Sequence, residues 1–143
     1  MKVEAAKSRR EGIMQLLSSV KLPVEDLPEE LSGFFVVSNI KDVVIGIIGL
    51  EIYENYGLLR SLAVDPEYRN LSIATKLLIT AESYARLNNL KAVYLLTETA
   101  TAYFHDKGYE QISRADVPPE IQASSEFSHI CPLSATVMKK NLI

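Results

Sequence analysis

The chain has 143 residues, 48% of them hydrophobic, a formal net charge of −3 and a single cysteine, Cys131. So much apolar surface excludes a disordered chain. The charge excludes a nucleic-acid binder built on a basic stripe. The lone cysteine excludes an internal disulfide framework and a cysteine-rich zinc site, and fits a reducing cytosol. No apolar run reaches the roughly 18 residues of a membrane span, and Met1-Lys2-Val3-Glu4 opens no signal-peptide apolar region. The expectation is one cytoplasmic domain over residues 1–143.

Taken in order, Met1 to Ala6 reads as a first strand. Ser8 is a candidate N-cap with Glu11 three residues on, a capping-box spacing, and the helix behind it runs to about Ser18, burying Ile13, Leu16 and Leu17. PVEDLPEE, residues 23–30, reads as a loop and a short acidic helix with Pro28 in its first turn. Phe34 to Val37 is a strand and Asn39 to Asp42 a turn. Val43 to Ile52 is a longer strand, apolar enough for a sheet buried on both faces. Tyr53 to Gly57 turns the chain into Leu58 to Val64, which completes an antiparallel meander.

Asp65-Pro66 ends that strand, because proline fixes φ and has no N–H for a ladder. A helix begins near Ser72. Its apolar positions Ile73, Leu77, Leu78, Ala81, Tyr84 and Ala85 share one face. Ala92 to Thr97 returns as a strand parallel to the one before the helix, as a crossover requires. A helix over about Thr99 to Lys107 stops at Gly108 as its C′ residue. Tyr109 to Ile112 is a strand, Val117 to Ile121 a short helix or loop, and Ala135 to Lys139 the last strand.

A strand feeding a helix through a tight turn presents the helix's first N–H groups, and their dipole favours an anion. Arg69 beside them adds a positive charge. The segment Val64 to Leu78, VDPEYRNLSIATKLL, resembles the acetyl-CoA signature of the GNAT N-acetyltransferase superfamily. That signature is an arginine or glutamine, two free positions, a glycine, a free position, then glycine or alanine. Arg69 and Ala74 match it. Ser72 stands where glycine is usual, and Asn70 stands where a second glycine commonly follows the arginine. Glycine is favoured there for positive φ or close approach to phosphate; asparagine tolerates the left-handed region better than most residues.

The element order fits the same superfamily. The resemblance implies a GNAT fold of the α/β (α+β) class: a mixed, mostly antiparallel sheet of six to seven strands, a central splayed parallel pair and helices on both faces. GLLRSLAV (57–64), YLLT (94–97), Phe127 and CPLSA (131–135) together resemble the arsenic-resistance N-acetyltransferases, near the amino-acid N-acetyltransferases. The resemblance implies acetyl-CoA as co-substrate. Arg69, Asn70, Leu71, Ser72, Ile73, Ala74 and Thr75 would cradle its pyrophosphate, and pantetheine would pair with the backbone of Leu62, Ala63 and Val64. It further implies a homodimer formed through the late strands.

Acetyl transfer to an amine needs a proton acceptor, a donor for the thioester oxygen and, ideally, an acid for the leaving thiolate. The family's thiolate acid is a tyrosine after phenylalanine, four positions before a glycine-aromatic pair. Here that place is Phe104, before Gly108-Tyr109, and Phe104 has no hydroxyl. Tyr103 is one residue earlier, about 100° round the helix, and is an acid or, as buried aromatics usually are, a packing residue. Glu51, a carboxylate in an apolar strand, is a general base, an ammonium ligand, or the partner of Arg60 across the hairpin. Arg60 is a clamp for an acceptor carboxylate or a structural ion pair. Thr97 bonds pantetheine or caps the next helix. Cys131 lines the acceptor pocket or is simply buried. His105 and His129 lack ligand spacing with Cys131, so no metal is expected.

These readings point to an N-acetyltransferase moving acetyl from acetyl-CoA to the primary amine of a small molecule, an amino acid or an analogue, by direct attack. A protein N-terminal acetyltransferase, with the acidic 23–30 loop as its groove, and a non-catalytic acyl-CoA-binding module are the alternatives. No nucleic acid and no membrane enters any of them.

Overall fold

A computed structural model describes residues 2–124, Phe127 and residues 134–143. The strands among the described residues are Val3–Ala5 (β1), Phe34–Ser38 (β2), Val44–Tyr53 (β3), Tyr56–Val64 (β4), Ala92–Thr97 (β5), Glu110–Ile112 (β6) and Thr136–Asn141 (β7). The α-helices among the described residues are Arg10–Ser19 (α1), Ile73–Leu87 (α2), Thr101–Asp106 (α3) and Pro119–Gln122 (α4). The seven strands form one mixed sheet in the order β1-β2-β3-β4-β5-β7-β6. By internal contacts the chain falls into two compact units, Met1–Leu50 with Ser61–Tyr84, and Glu51–Arg60 with Ala85–Ile143.

In the first unit β1 pairs antiparallel with β2, and β2 with β3. Helical spacing on α1 buries Ile13, Leu16 and Leu17, as the sequence predicts. They join Leu27, Leu31, Phe34, Val36, Val44, Ile47 and Ala63 in one cluster. Each of the larger side chains in that cluster contributes roughly 1.5–3 kcal/mol of burial. Helix α2 buries Ile73, Leu77, Leu78, Ala81 and Ala85. A Cβ on Gly46 of β3 would lie 3.0 Å from Ile73 Cγ2 and 3.2 Å from Leu77 Cδ1. That glycine sets how closely α2 seats on its strand.

Two local expectations in this unit are corrected. Ser8 does not cap α1: the N-cap is Arg9, no side chain caps it, and the chain enters through Lys7 at φ 39. Residues 23–30 contain no helix. Two of their carbonyls are taken by a side chain instead, Arg10 Nη1 donating to Pro28 O at 2.7 Å and Arg10 Nη2 to Leu27 O at 3.1 Å. A charged donor reaching loop carbonyls competes with the i to i−4 bonds a short, proline-containing helix would need.

In the second unit Tyr56, Gly57 and Leu58 of β4 pair parallel with Ala92, Val93 and Tyr94 of β5, the direction the crossover predicts. Strand β5 pairs antiparallel with β7 along its whole length, and β7 with β6. Leu58, Ala92, Tyr94, Val117, Ile121 and Val137 form the core cluster, with Tyr53, Tyr56, Leu96, Ile112 and Phe127 packed at its margin. Helix α3 is shorter than expected and closes in a full Schellman motif. Gly108, at φ 97, donates to His105 O at 3.1 Å, and Tyr109 N–H reaches Phe104 O at 3.0 Å. Lys140 Nζ donates to Lys107 O at 3.0 Å, placing a cation at the negative end of that helix.

Candidate active site

The turn between β4 and α2 is built by short-range bonds. Asp65 accepts from Glu67 N–H at 2.9 Å and starts the 3-10 turn Pro66–Tyr68. Tyr68 Oη accepts from Asn39 Nδ2 at 3.1 Å, tying that turn to the β2–β3 hairpin. Arg69, Asn70, Leu71 and Ser72 are exposed. Arg69 Nε donates back to Val64 O at 3.4 Å.

Asn70 lies at φ 66 and Ser72 at φ 62. These are the two positions where the signature carries glycine, so the loop holds a glycine-like backbone without glycine. The first helical bond of α2 runs from Lys76 N–H to Ser72 O at 3.1 Å. The N–H groups ahead of it therefore point out of the helix end. With its left-handed φ, Ser72 lacks the extended backbone of an ordinary N-cap. A loop so shaped fits an anionic group such as a pyrophosphate, held by backbone N–H, with Arg69 and Thr75 on its flanks.

Ahead of this turn, Leu62 is half-buried and Ala63 and Val64 are buried. These side chains are core, and any function they have lies in their backbone. Ser61, just before them, stands at φ 60 inside β4. A left-handed non-glycine residue within a strand breaks the alternation of faces and re-aims the chain beyond it. No sequence signal marks it, because serine is not a residue that asks for positive φ.

In the second unit, Glu51 near the end of β3 meets Arg60 of β4, Arg60 Nη1 donating to Glu51 Oε2 at 3.2 Å. The ion pair is thus formed. The Arg60 side chain is 2% exposed and that of Glu51 17%, so the carboxylate is the reachable partner. Tyr53 Oη donates to Glu51 Oε1 at 2.7 Å. Sequence reading missed Tyr53 by assigning it to the turn. Strand alternation would have found it, since residues i and i+2 share a face.

Thr97 Oγ1 accepts from Ala100 N–H at 3.0 Å, so its hydroxyl orders the approach to α3, whose N-cap is Ala100 rather than Thr97 itself. Phe104 is buried and stacks edge-on with Tyr109, ring centroids 5.6 Å apart. Tyr103 is half-buried, 5.3 Å from Phe104 in the same edge-on manner, with Lys107 Nζ 5.4 Å from its ring centre. His105 is exposed. Cys131 and His129 lie outside the described residues. Among the described residues no three His, Cys, Asp or Glu side chains gather as a metal site, and no helix is long and apolar enough to cross a membrane.

A family profile described as the acetyltransferase (GNAT) family matches residues 8–109. The chain belongs to the GNAT acetyltransferase family. It is 33% identical over 112 residues to an uncharacterised N-acetyltransferase of Chlorobaculum tepidum, covering 78% of this chain and 68% of that one. To an amino-acid acetyltransferase of Pseudomonas fluorescens it is 32% identical over 124 residues, covering 80% of this chain but 28% of the relative. This GNAT chain thus spans little more than a quarter of that enzyme. Among solved structures, Rv2747 of Mycobacterium tuberculosis, crystallised with CoA, superimposes with a TM-score of 0.81 at 23% identity over the full length of both chains. The seven-stranded sheet with its β4–β5 parallel pair is the GNAT fold expected from the sequence.

Proposed function

We propose that this protein transfers acetyl from acetyl-CoA to the primary amine of a small molecule, an amino acid or a close analogue, as a single catalytic domain. The observation that carries this reading is the Glu51 carboxylate, fixed by Arg60 and Tyr53 yet still reachable. A fixed anion suits the ammonium form in which an amino acid arrives. The amino-acid acetyltransferase relative supports the same substrate class.

Acetyl-CoA supplies a thioester carbonyl; the amine nitrogen bonds to its carbon, the C–S bond breaks and CoA leaves as the thiolate, while the proton the nitrogen sheds after attack passes to solvent. The chain's own part is to hold and order. The backbone of Leu62, Ala63 and Val64 offers pairing groups for an amide-bearing pantetheine. The Arg69–Thr75 turn offers N–H groups and one guanidinium to phosphate oxygens. Glu51 docks the ammonium and receives its proton, directly or through one water, before the nitrogen attacks. Phe104 provides no acid, and a thiol with an ordinary pKa of about 8.5 leaves without one. Arg60, 2% exposed and bonded to Glu51, is assigned here to the ion pair rather than to the acceptor's carboxylate.

The test is CoA thiol release from acetyl-CoA with a panel of free amino acids, their phosphorus and arsenic analogues, polyamines and N-terminal peptides. Release that requires a free amino acid or analogue is the expected result. Release with peptides alone would replace this reading by N-terminal protein acetylation. Binding of acetyl-CoA with silence across every amine would replace it by a non-catalytic acyl-CoA-binding module.

A further inference from the structure

Among the described residues, Tyr53 is the one group touching Glu51 to which the sequence reading assigns no part. It stands two residues after Glu51 on β3 and so on the same face of the strand. Its hydroxyl donates to Oε1 at 2.7 Å, while Arg60 donates to Oε2 at 3.2 Å. Among the described residues each oxygen has one donor, which fixes the plane of the carboxylate as well as its position. A carboxylate offers about four acceptor sites, so each oxygen can still take one further bond. Both remaining sites lie in a plane the protein has already set.

The surroundings make that plane worth setting. Arg60 is 4% exposed, so its charge is balanced inside the fold by Glu51. Tyr53 packs by its ring at the margin of the Leu58, Tyr94 and Ile121 cluster. The phenol is therefore anchored at its apolar end and polar at its tip, the arrangement in which tyrosine orients a partner at low entropic cost. A freely rotating glutamate would have to be ordered by each incoming cation; here that ordering is done beforehand.

We propose that Tyr53 is a positioning residue, which with Arg60 orients Glu51 into a subsite for a primary ammonium group. The inference rests on the reading of Glu51 as the amine-docking carboxylate. Arg60 serves as the structural counter-ion, and Tyr53 sets the direction from which N–H donors approach. The ligand class is a primary alkylammonium, which has N–H donors to give both oxygens. A quaternary ammonium has charge but no donor and gains nothing from the fixed plane.

The experiment uses the full chain, labelled with carbon-13 at glutamate Cδ, with the Glu51 signal assigned by its loss in Glu51→Gln. Methylammonium is the probe and tetramethylammonium the control. Methylammonium should shift the Glu51 signal saturably in the wild type and bind about three- to tenfold more weakly to Tyr53→Phe, the range of one lost hydrogen bond. Tetramethylammonium should bind far more weakly to both proteins. A thermal melt confirms that Tyr53→Phe folds. If methylammonium titrates Tyr53→Phe as it does the wild type, Tyr53 does not position Glu51. If the two cations act alike on the wild type, there is no ammonium subsite. The first result leaves the reading of Glu51 intact, the second removes amine docking at Glu51, and thiol release reports separately whether acetyl is transferred at all. Should Glu51→Gln abolish transfer while Tyr53→Phe keeps the wild-type acceptor KM, the reading of Glu51 stands and the role given to Tyr53 is overturned.

Discussion

The Arg69–Ala74 turn and the Glu51–Tyr53–Arg60 cluster put their chemistry in different parts of the residue. In the turn the side chains from Arg69 to Ser72 are exposed, and what matters is a backbone path with positive φ at Asn70 and Ser72. Both glycines of the family pattern are gone while the path remains. In the cluster the backbone is ordinary strand, and everything depends on three side chains meeting at 2.7 and 3.2 Å. A backbone site tolerates a change of residue at the cost of conformational energy. A side-chain site tolerates almost none, because removing one member strands another.

Four changes break or sharpen that contrast. The largest effect is expected from Arg60→Ala, which leaves Glu51 without its cation in a mostly buried position. Breaking a fully buried pair costs about 3–5 kcal/mol; the partial exposure of Glu51 lowers this to about 2–3 kcal/mol in urea unfolding at neutral pH. A loss below about 0.5 kcal/mol, the size of an exposed pair, would mean that the cluster is no more than a surface contact.

Gly108→Ala comes next. Here glycine is retained at φ 97 in a Schellman motif, and a Cβ would meet Lys140 Cε at 3.3 Å. Thermal or urea unfolding should show a loss of about 1–2 kcal/mol. The turn gives the opposite sign. Ser72→Gly should raise stability by up to about 1 kcal/mol, and Asn70→Gly by a few tenths, since asparagine already accepts this conformation. If the turn holds the CoA pyrophosphate as proposed, calorimetry should find the affinity for CoA within about threefold of wild type in both, because the backbone path is unchanged. Destabilisation by Ser72→Gly would show that the serine side chain, not the backbone, holds the turn.

Tyr94 belongs to neither region and serves as a control. Its phenol pKa is raised above 10.0, first by burial and then by Tyr56 and Glu120 nearby. The folded state keeps a proton that the unfolded state releases above about pH 10. Stability from this group is therefore level below pH 10.0 and falls as pH rises toward the higher folded value. A pH series of urea midpoints should show that alkaline decline, and Tyr94→Phe should flatten it with little change at neutral pH.

Much of the fold was legible because periodicity and punctuation agree. Asp65-Pro66 ended a strand, the Ile73 to Ala85 stripe made a helix, and the crossover predicted the parallel β4–β5 pair. Where the reading failed, a distant partner overrode a local signal. Ser8 and Glu11 form a capping-box spacing that the chain does not use, and Arg10 takes the carbonyls of residues 27 and 28 that a helix would need. At the site, the residue types pointed to Glu51 and Arg60 but left open whether they pair. Only the register of two strands decides that. Tyr53 was hidden by its place beside a turn, and the φ of Ser61 has no compositional mark at all.

The most direct test of the central claim is steady-state thiol release by Glu51→Gln, with KM and kcat read separately for acetyl-CoA and for the acceptor amine. If Glu51 docks the amine while the backbone of the turn holds CoA, kcat/KM for the acceptor should fall at least about a hundredfold, the low end of what a positioned acid–base group contributes, and the acetyl-CoA KM should stay where it is. Unchanged acceptor kinetics, or a change confined to acetyl-CoA, would contradict the account.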